Sequence, residues 1–436
     1  MRLILIFTLM LSSLLAQSKA NDVKTFTLKN GMQIILLEDH SIPNVAMYLF
    51  YKVGSRNEYP GITGISHFFE HMMFNGAKKY GPKQFDITME ANGGANNAYT
   101  SNDITVYSNW FPRSAMELIF DLEADRIAHL NFDDKMIESE RGVILSERST
   151  MLENSNESYL MQEVFAAAFQ AHPYGWPVIG WESDIKNWTK NDLQNYFKTY
   201  YSPNNCVVVL TGDLTLDEVK KLSKKYFEPI PWRSAPRKVH TVEPEQLGER
   251  RLFVKKAVSS PHVLAVYHVP EASSTDYYSL RLLNSILSSG NTSRLYSSLV
   301  DEKQLATEVW THYGESFDPY VFMIYSICNE NVTPSQIEDV VYEELDKIAN
   351  EGINENELQK VKNQKLIEFY HVMETINGKA NQIGTYQLFF GDYKKLFDAP
   401  GEYQEVTAED IKNVVKKYFN KLNRTVGILR AEGETK

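Results

Sequence analysis

Cysteine is nearly absent: Cys206 and Cys328 are the only two in 436 residues. Neither has a Cys-x-x-Cys neighbour, which excludes a disulfide framework and a cysteine-based zinc knuckle. Both sit in apolar, strand-like runs, where a free thiol behaves as a small buried hydrophobe. Basic charge is also short, with 45 Lys and Arg against 56 Asp and Glu and a formal charge of −11. No Lys/Arg block breaks that balance, so the basic footprint of general nucleic-acid binding is missing. There is no Walker-type loop, no Gly-x-Gly-x-x-Gly and no Gly-x-Ser-x-Gly, which argues against ATP, dinucleotides and serine acyl-enzyme chemistry. Long apolar runs are missing too, apart from residues 3–16 (LILIFTLMLSSLLA). That run is 14 residues long, short of the ~20 needed to span a bilayer.

What is present begins with that run. Arg2 precedes it, and Ser18-Lys19-Ala20 places small residues ahead of Asn21, the layout of a signal peptide over residues 1–20. No Cys follows, so no lipoprotein anchor is expected. The mature chain is then an exported protein of 416 residues, periplasmic or secreted, with a charge of −13 once Arg2 and Lys19 are removed. At 43% hydrophobic and 12% aromatic it has the material for sizeable cores, and its length suggests two or three domains.

Strand-like and helix-like segments alternate without a strict βαβ rhythm. The turn Lys29-Asn30-Gly31-Met32 leads into a strand at 33–37, and 45–51 reads as a second. Residues 64–74 turn helical, with Ser66 placed to help at the start. Residues 103–110 alternate like a strand, and 113–129 read helical again. The class is α+β, with mostly antiparallel sheets flanked by helices. An internal echo supports two homologous domains. TKNDLQNYFKTY at 189–200 matches TAEDIKNVVKKY at 407–418 in five residues, each offset by 218, and an apolar strand follows at 206–210 and at 425–429. One echoed helix could arise by chance, since Thr-x-x-Asp is a common helix start. Pro and charge displace periodic apolar residues in 232–249. The expected domains are 21–232 and 250–436, joined by a linker at 233–249.

The chemistry-bearing motif is His67-Phe68-Phe69-Glu70-His71, inside the helical run 64–74. At 3.6 residues per turn His67 and His71 share a face, and Glu70 leans toward it. Two imidazoles at that spacing suit zinc, and the adjacent carboxylate can take a proton from solvent there. The order is the inverzincin one, the mirror of His-Glu-x-x-His. A helix with two surface histidines is the bland alternative, but Phe68, Phe69, Met72, Met73 and Phe74 would bury unmatched polar groups at a cost. A second helical run, 136–147, carries Glu140 and Glu147 two turns apart on one face with Val143 and Ile144. Read alone, these are either solvated glutamates or ligand candidates.

With these residues in view, the sequence resembles the pitrilysin/insulinase family of inverzincin metallopeptidases, in its two-domain branch with the mitochondrial processing peptidase subunits. That family has a glutamate ~76 residues beyond the second His, and His71 to Glu147 is 76 here. The likeness takes in Gly93-Gly94-Ala95-Asn96-Asn97-Ala98-Tyr99-Thr100 and Tyr201-Ser202-Pro203-Asn204-Asn205. It implies one zinc held by His67, His71 and Glu147, with Glu70 as general base and Glu140 orienting a ligand or assisting the base. It also implies an endopeptidase for peptides or unfolded small proteins, using zinc-activated water and a C-terminal domain that forms the chamber without being active.

Residues 95–100 read alone are a turn and an edge strand. The resemblance implies that substrate adds to this strand, with Asn97, Ala98, Tyr99 and Thr100 lining it. The acidic charge points to a mild preference for basic peptides. One departure stands out. Where the family has an Arg and a Tyr that hold substrate, this chain has Val300 and Thr307; the nearby Arg294 and Tyr296 are read as surface and packing residues. That implies a heterodimer with a related chain lacking the zinc motif, with a homodimer as the alternative. Two rival readings are a non-catalytic scaffold of the same fold and a module whose zinc is purely structural. The first would be expected to have lost part of the zinc set, and the second to close its fourth ligand position.

Overall fold

The computed structural model of the chain describes residues 19–233 and 235–431. The leader expected at 1–20 lies outside the described residues except for Lys19 and Ala20. Two sheets organise the rest. The first contains β1 (Lys24–Thr27), β2 (Gln33–Glu38), β3 (Asn44–Tyr51), β4 (Ala95–Thr100), β5 (Thr105–Pro112) and β6 (Cys206–Gly212), in spatial order β1-β2-β6-β3-β5-β4. The second contains β7 (Arg250–Lys255), β8 (His262–Val269), β9 (Ala306–His312), β10 (Tyr320–Cys328) and β11 (Arg424–Arg430), in order β7-β11-β8-β10-β9. Leaving out β1, the sheets are the same: one parallel pair, then three antiparallel pairings. The α+β class and the duplication read from the sequence are both observed.

The echoed segments show why the copies fold alike. The helix at Lys190–Tyr200 opens with a reciprocal cap in which Thr189 Oγ1 accepts the Asp192 N–H and Asp192 accepts the Thr189 N–H. The helix at Ala408–Tyr418 repeats it with Thr407 and Asp410. Five residues past each helix-ending Tyr, an Asn amide donates back to that tyrosine's carbonyl: Asn205 to Tyr200 at 2.9 Å, Asn423 to Tyr418 at 2.7 Å. Each then leads into the strand beside the parallel partner.

The helices that matter below are α1 (Ile65–Met72), α2 (Gln84–Ala91), α3 (Met116–His129), α4 (Asp134–Asn154), α5 (Asn156–Ala168) and α6 (Ile376–Phe389). α1, α3 and α4 cover one face of the first sheet over a core that includes Met47, Leu49, Tyr51, Phe68, Phe69 and Tyr107. The other face is covered from the far half of the chain. Ile376, Ala380 and Ile383 of α6 pack on Ile35, Ala46, Phe50 and Val209. Reciprocally, Leu160, Val164 and Ala168 of α5 pack on Leu264, Val266 and Leu429 of the second sheet. Two glycines permit the close approach. A Cβ on Gly384 would meet the Phe50 ring at 2.1 Å, and one on Gly427 would meet Val164 at 2.2 Å. Each buried aliphatic on these helices is worth about 1.5–3 kcal/mol, so each half depends on the other.

Several expectations are adjusted. The strand foreseen at 103–110 runs Thr105–Pro112, because Ser101–Ile104 close the β4–β5 hairpin. The helix foreseen from 113 opens with a 3-10 turn at Arg113–Ala115. Ser66 does not start α1: it lies inside the first turn with its hydroxyl on Tyr196, and Glu58 supplies the cap. Cys206 and Cys328 are both buried and not joined in a disulfide, as expected.

Candidate metal and active site

The helix carrying the motif is fixed at its start. Gly64 and Gly180, both at φ +86°, bring two backbones together; a Cβ on Gly64 would lie 2.4 Å from the Ile179 carbonyl. The Glu58 carboxylate accepts the N–H groups of Gly64 at 2.7 Å and Ser66 at 2.8 Å, which satisfies donors that no turn of the helix can reach. Burial pushes Glu58 up to about 8 against the pull of those donors. Asp184 ties down the preceding loop through Gly61 and Thr63. Below, Phe68 and Phe69 enter the core, and the Tyr107 hydroxyl donates to the Phe69 carbonyl at 3.0 Å.

With that face buried, His67, Glu70 and His71 point away from the core toward α4. Asp133 caps α4 by accepting the N–H groups of Lys135 and Met136. Arg141 pins it laterally, donating to the Trp188 carbonyl at 2.8 Å and to the carbonyl of Ile185. Glu140 and Glu147 then face α1, as their two-turn spacing predicts. His67 Nε2 lies 3.7 Å, and His71 Nε2 3.5 Å, from the Glu147 carboxylate. One ligand atom from each of the three residues lies within 4.8 Å of the others. On its other edge, His71 Nδ1 lies 2.7 Å from Glu140, which also accepts from the Asn75 amide.

The donor set fits a metal ion. Separations of 3.5 and 3.7 Å are long for hydrogen bonds. They suit two donors of one tetrahedral ion at ~2.0–2.1 Å from each, which sets donors about 3.4 Å apart. Burial, with the neighbouring His71, brings His67 down to about 4, so its ring is neutral and has a lone pair to give. Its Nδ1 is buried with no hydrogen-bond partner among the described residues, while its Nε2 faces the Glu147 carboxylate. The Glu147 side chain is 46% exposed, which leaves one side of the triad open.

The other groups divide by environment. Burial pushes the Glu70 carboxyl up, opposed by Thr100 and by His71. Burial pulls His71 down, but the Glu140 contact and the surrounding carboxylates outweigh it, so it sits above the usual range. Glu140 is held low because its bonds to His71 and Asn75 outweigh its burial. A raised carboxyl next to open space is the state expected of a group that exchanges protons.

Beside Glu70 and His71 opens a cleft of about 520 Å³, walled by Phe74, Asp86, Glu90 and the free edge of β4. β4 is an edge strand, as foreseen, and its residues alternate. Ala98 and Thr100 face α1, while Asn97 and Tyr99 occupy the alternate positions, with Tyr99 near Tyr48 and Glu315. Val300 packs at the rim of the second core and Thr307 is exposed on β9. Arg294 is bound at 2.8 Å through two nitrogens to Glu357, in keeping with a packing role. Sequence reasoning missed Asn75 and Glu58. Asn75 lies just past the end of α1, in the turn that follows His71, and Glu58 lies in a loop whose return to the helix leaves no local mark.

Two sheets of one topology, with a His-His-Glu cluster on the helices over the first, define a duplicated chain with one candidate metal site among the described residues. Residues 33–181 match the model of the insulinase, or M16, peptidase family, and residues 187–365 match that of the M16 inactive domain. The zinc protease PqqE of Helicobacter pylori is 31% identical over 96% of this chain and 95% of its own. A crystal structure of a protease from Helicobacter pylori superposes with a TM-score of 0.90 at 31% identity, covering 94% of this chain and 99% of that one. The first half of the periplasmic protease PqqL of Escherichia coli, at 18% identity and a TM-score of 0.75, shares the fold over 95% of this chain and 93% of its own. The chain belongs to the M16 peptidase family.

Proposed function

We propose that this chain is a zinc-dependent endopeptidase for peptides or unfolded small proteins. The observation that carries the reading is the convergence of His67, His71 and Glu147 beside Glu70 and an open cleft. The zinc protease name of the Helicobacter relative supports it. His67, His71 and Glu147 would hold the zinc ion, which would supply Lewis-acid polarisation of the scissile carbonyl and activation of water. Glu70 takes the attacking water's proton and hands it to the leaving amine, and its raised carboxyl is suited to both halves of that exchange. Glu140 holds His71 in the tautomer that presents Nε2. The peptide pairs with the free edge of β4 along Asn97, Ala98, Tyr99 and Thr100, so recognition is mainly of backbone. Asp86 and Glu90 in the cleft wall favour basic peptides.

The chain is exported through the leader at residues 1–20 to the periplasm or beyond. The C-terminal half, 250–436, forms the chamber. A related subunit supplies the Arg and Tyr that Val300 and Thr307 do not provide, so the working form is a heterodimer. The test uses purified mature chain, with and without co-expressed candidate subunits. One zinc per chain by elemental analysis, with turnover of quenched peptides that Glu70→Gln abolishes while zinc is retained, is expected. Zinc retention with no turnover in any assembly would leave a scaffold. Full activity of the lone monomer would remove the partner.

A further inference from the structure

The reacting centre proposed above lies part-way along β4, and the two ends of that strand meet different surfaces. At the Ala95–Ala98 end is the cleft walled by Asp86 and Glu90. At the other end, two residues beyond Thr100, Asn102 borders a separate cavity of about 200 Å³ at the seam between the halves. Met151, Met161, Phe165 and Trp176 come from the first half and Tyr320 from the second, and no lining residue is charged. Met151 stands on α4 one turn past Glu147, so the cavity touches both elements that flank the cluster, α4 and the end of β4.

The walls are fixed while the mouth can adapt. The Trp176 indole donates to the Ser55 carbonyl at 2.9 Å, and the Asn102 amide to the Ser55 hydroxyl at 3.1 Å. Tyr320 is held edge-on against Tyr174, ring centres 4.8 Å apart, and its hydroxyl reaches Asn102. The two half-buried methionines, Met151 and Met161, bring flexible thioethers that fill irregular space. A chain pairing antiparallel with β4, the slightly more stable arrangement and the one β5 adopts on the other edge, runs with its amino-terminal part toward Asn102.

We propose that this cavity is the subsite for an apolar side chain of the substrate peptide, about two to four residues on the amino-terminal side of the cut. The proposal rests on the endopeptidase reading of the site. It gives the substrate a polarity: an apolar anchor before the cut, and backbone or basic contacts after it.

The test uses zinc-loaded full-length mature chain and quenched peptides in which each of the four positions before the cut is set in turn to Leu, Lys or Asp. At one position Leu is expected to exceed Lys and Asp by about tenfold in kcat/KM. Met161→Asp should reduce the Leu-to-Lys ratio to about twofold or less, and Met161→Ala, a gentler change, should shift the optimum from Leu toward Phe. No preference for Leu at any position, or a preference that neither variant moves, overturns the proposal. If no peptide is turned over, the endopeptidase reading fails separately. Calorimetric binding of the Leu and Lys peptides to Glu70→Gln then decides the cavity: a tenfold difference in Kd that Met161→Asp removes sustains it, and equal Kd values reject it.

Discussion

Glu140 lies 2.7 Å from His71 Nδ1, on the ring edge opposite the Nε2 that faces Glu147. The contact does two things at once: it selects the tautomer with a free Nε2 lone pair, and it adds negative charge behind a proposed ligand. Asn75 holds Glu140 in place from the other side. Groups that orient a ligating histidine typically contribute 10–100-fold in metal affinity.

Glu140→Gln should therefore weaken zinc binding by about 10–100-fold while leaving the helical signal unchanged. Competition against a chelating dye measures it directly, with no dependence on turnover. Zinc affinity equal to wild type would reduce Glu140 to a surface ion pair. Asn75→Ala should move affinity in the same direction by less, since it acts on Glu140 alone.

Glu58 is the cap of α1, accepting two N–H groups in a buried loop. Glu58→Ala leaves both donors without a partner, at about 1–3 kcal/mol for each. Chemical denaturation should show that loss. Because α1 carries two proposed ligands, zinc affinity should fall with it. Glu58→Gln keeps one acceptor and should cost less by both measures.

The two halves cover each other, and this makes a prediction about cooperativity. Gly384→Ala drives a methyl into the Phe50 ring, and Gly427→Ala drives one into Val164. Each should cost about 1–3 kcal/mol, the range for an overpacked core. One change sits in each half, yet either should lower a single shared unfolding transition seen by tryptophan fluorescence and circular dichroism. Two separate transitions would show that the mutual covering by α5 and α6 carries little of the stability.

The sequence was legible where function and fold are written in local spacing. His67, Glu70 and His71 are neighbours on one helix, and Thr189/Asp192 and Thr407/Asp410 announce their capping boxes within three residues. Cys206 and Cys328 were readable from their apolar runs. Glu140 and Glu147 stood out by their two-turn spacing on one helix face, but only the 76-residue distance from His71 in the family pattern separated Glu147 from Glu140 as the expected ligand. The crossing of α5 and α6 was not legible at all. Their apolar faces show that they are buried but not against which sheet, and contacts such as Gly384 on Phe50 join residues more than 300 positions apart. The same reason hid the apolar cavity, which takes Tyr320 from one half and Trp176 from the other.

The seam between the halves also holds an ionic cluster with a defined pH signature. Arg56 lies 3.2 Å from Asp103 and donates to Asp318 at 2.9 Å, while His172 faces Asp318 at 3.2 Å and the Tyr174 hydroxyl donates to Asp103 at 2.7 Å. Burial pushes Asp103 up to about 6, with Arg56 pulling the other way. Asp318 is held below its usual range because His172 and Arg56 outweigh its burial. The raised Asp103 contributes stability that is fully present below pH ~4 and lost as pH rises through about 6. The lowered Asp318 contributes stability that is present above pH ~4 and lost below it. Arg56→Ala should raise both folded-state values further, so the native state holds extra protons over a wider range and stability falls more steeply with pH. The variant should thus be destabilised by about 3–5 kcal/mol at pH 8, the cost of leaving the buried Asp103 without its cation, and by clearly less at pH 5. Urea midpoints at the two pH values measure this. Arg56→Lys, which keeps the charge but loses the forked donor, should show a smaller deficit with little pH dependence. An Arg56→Ala deficit equal at both pH values would mean that the guanidinium acts by packing on Phe317, 5.4 Å from its ring centre, and not by charge.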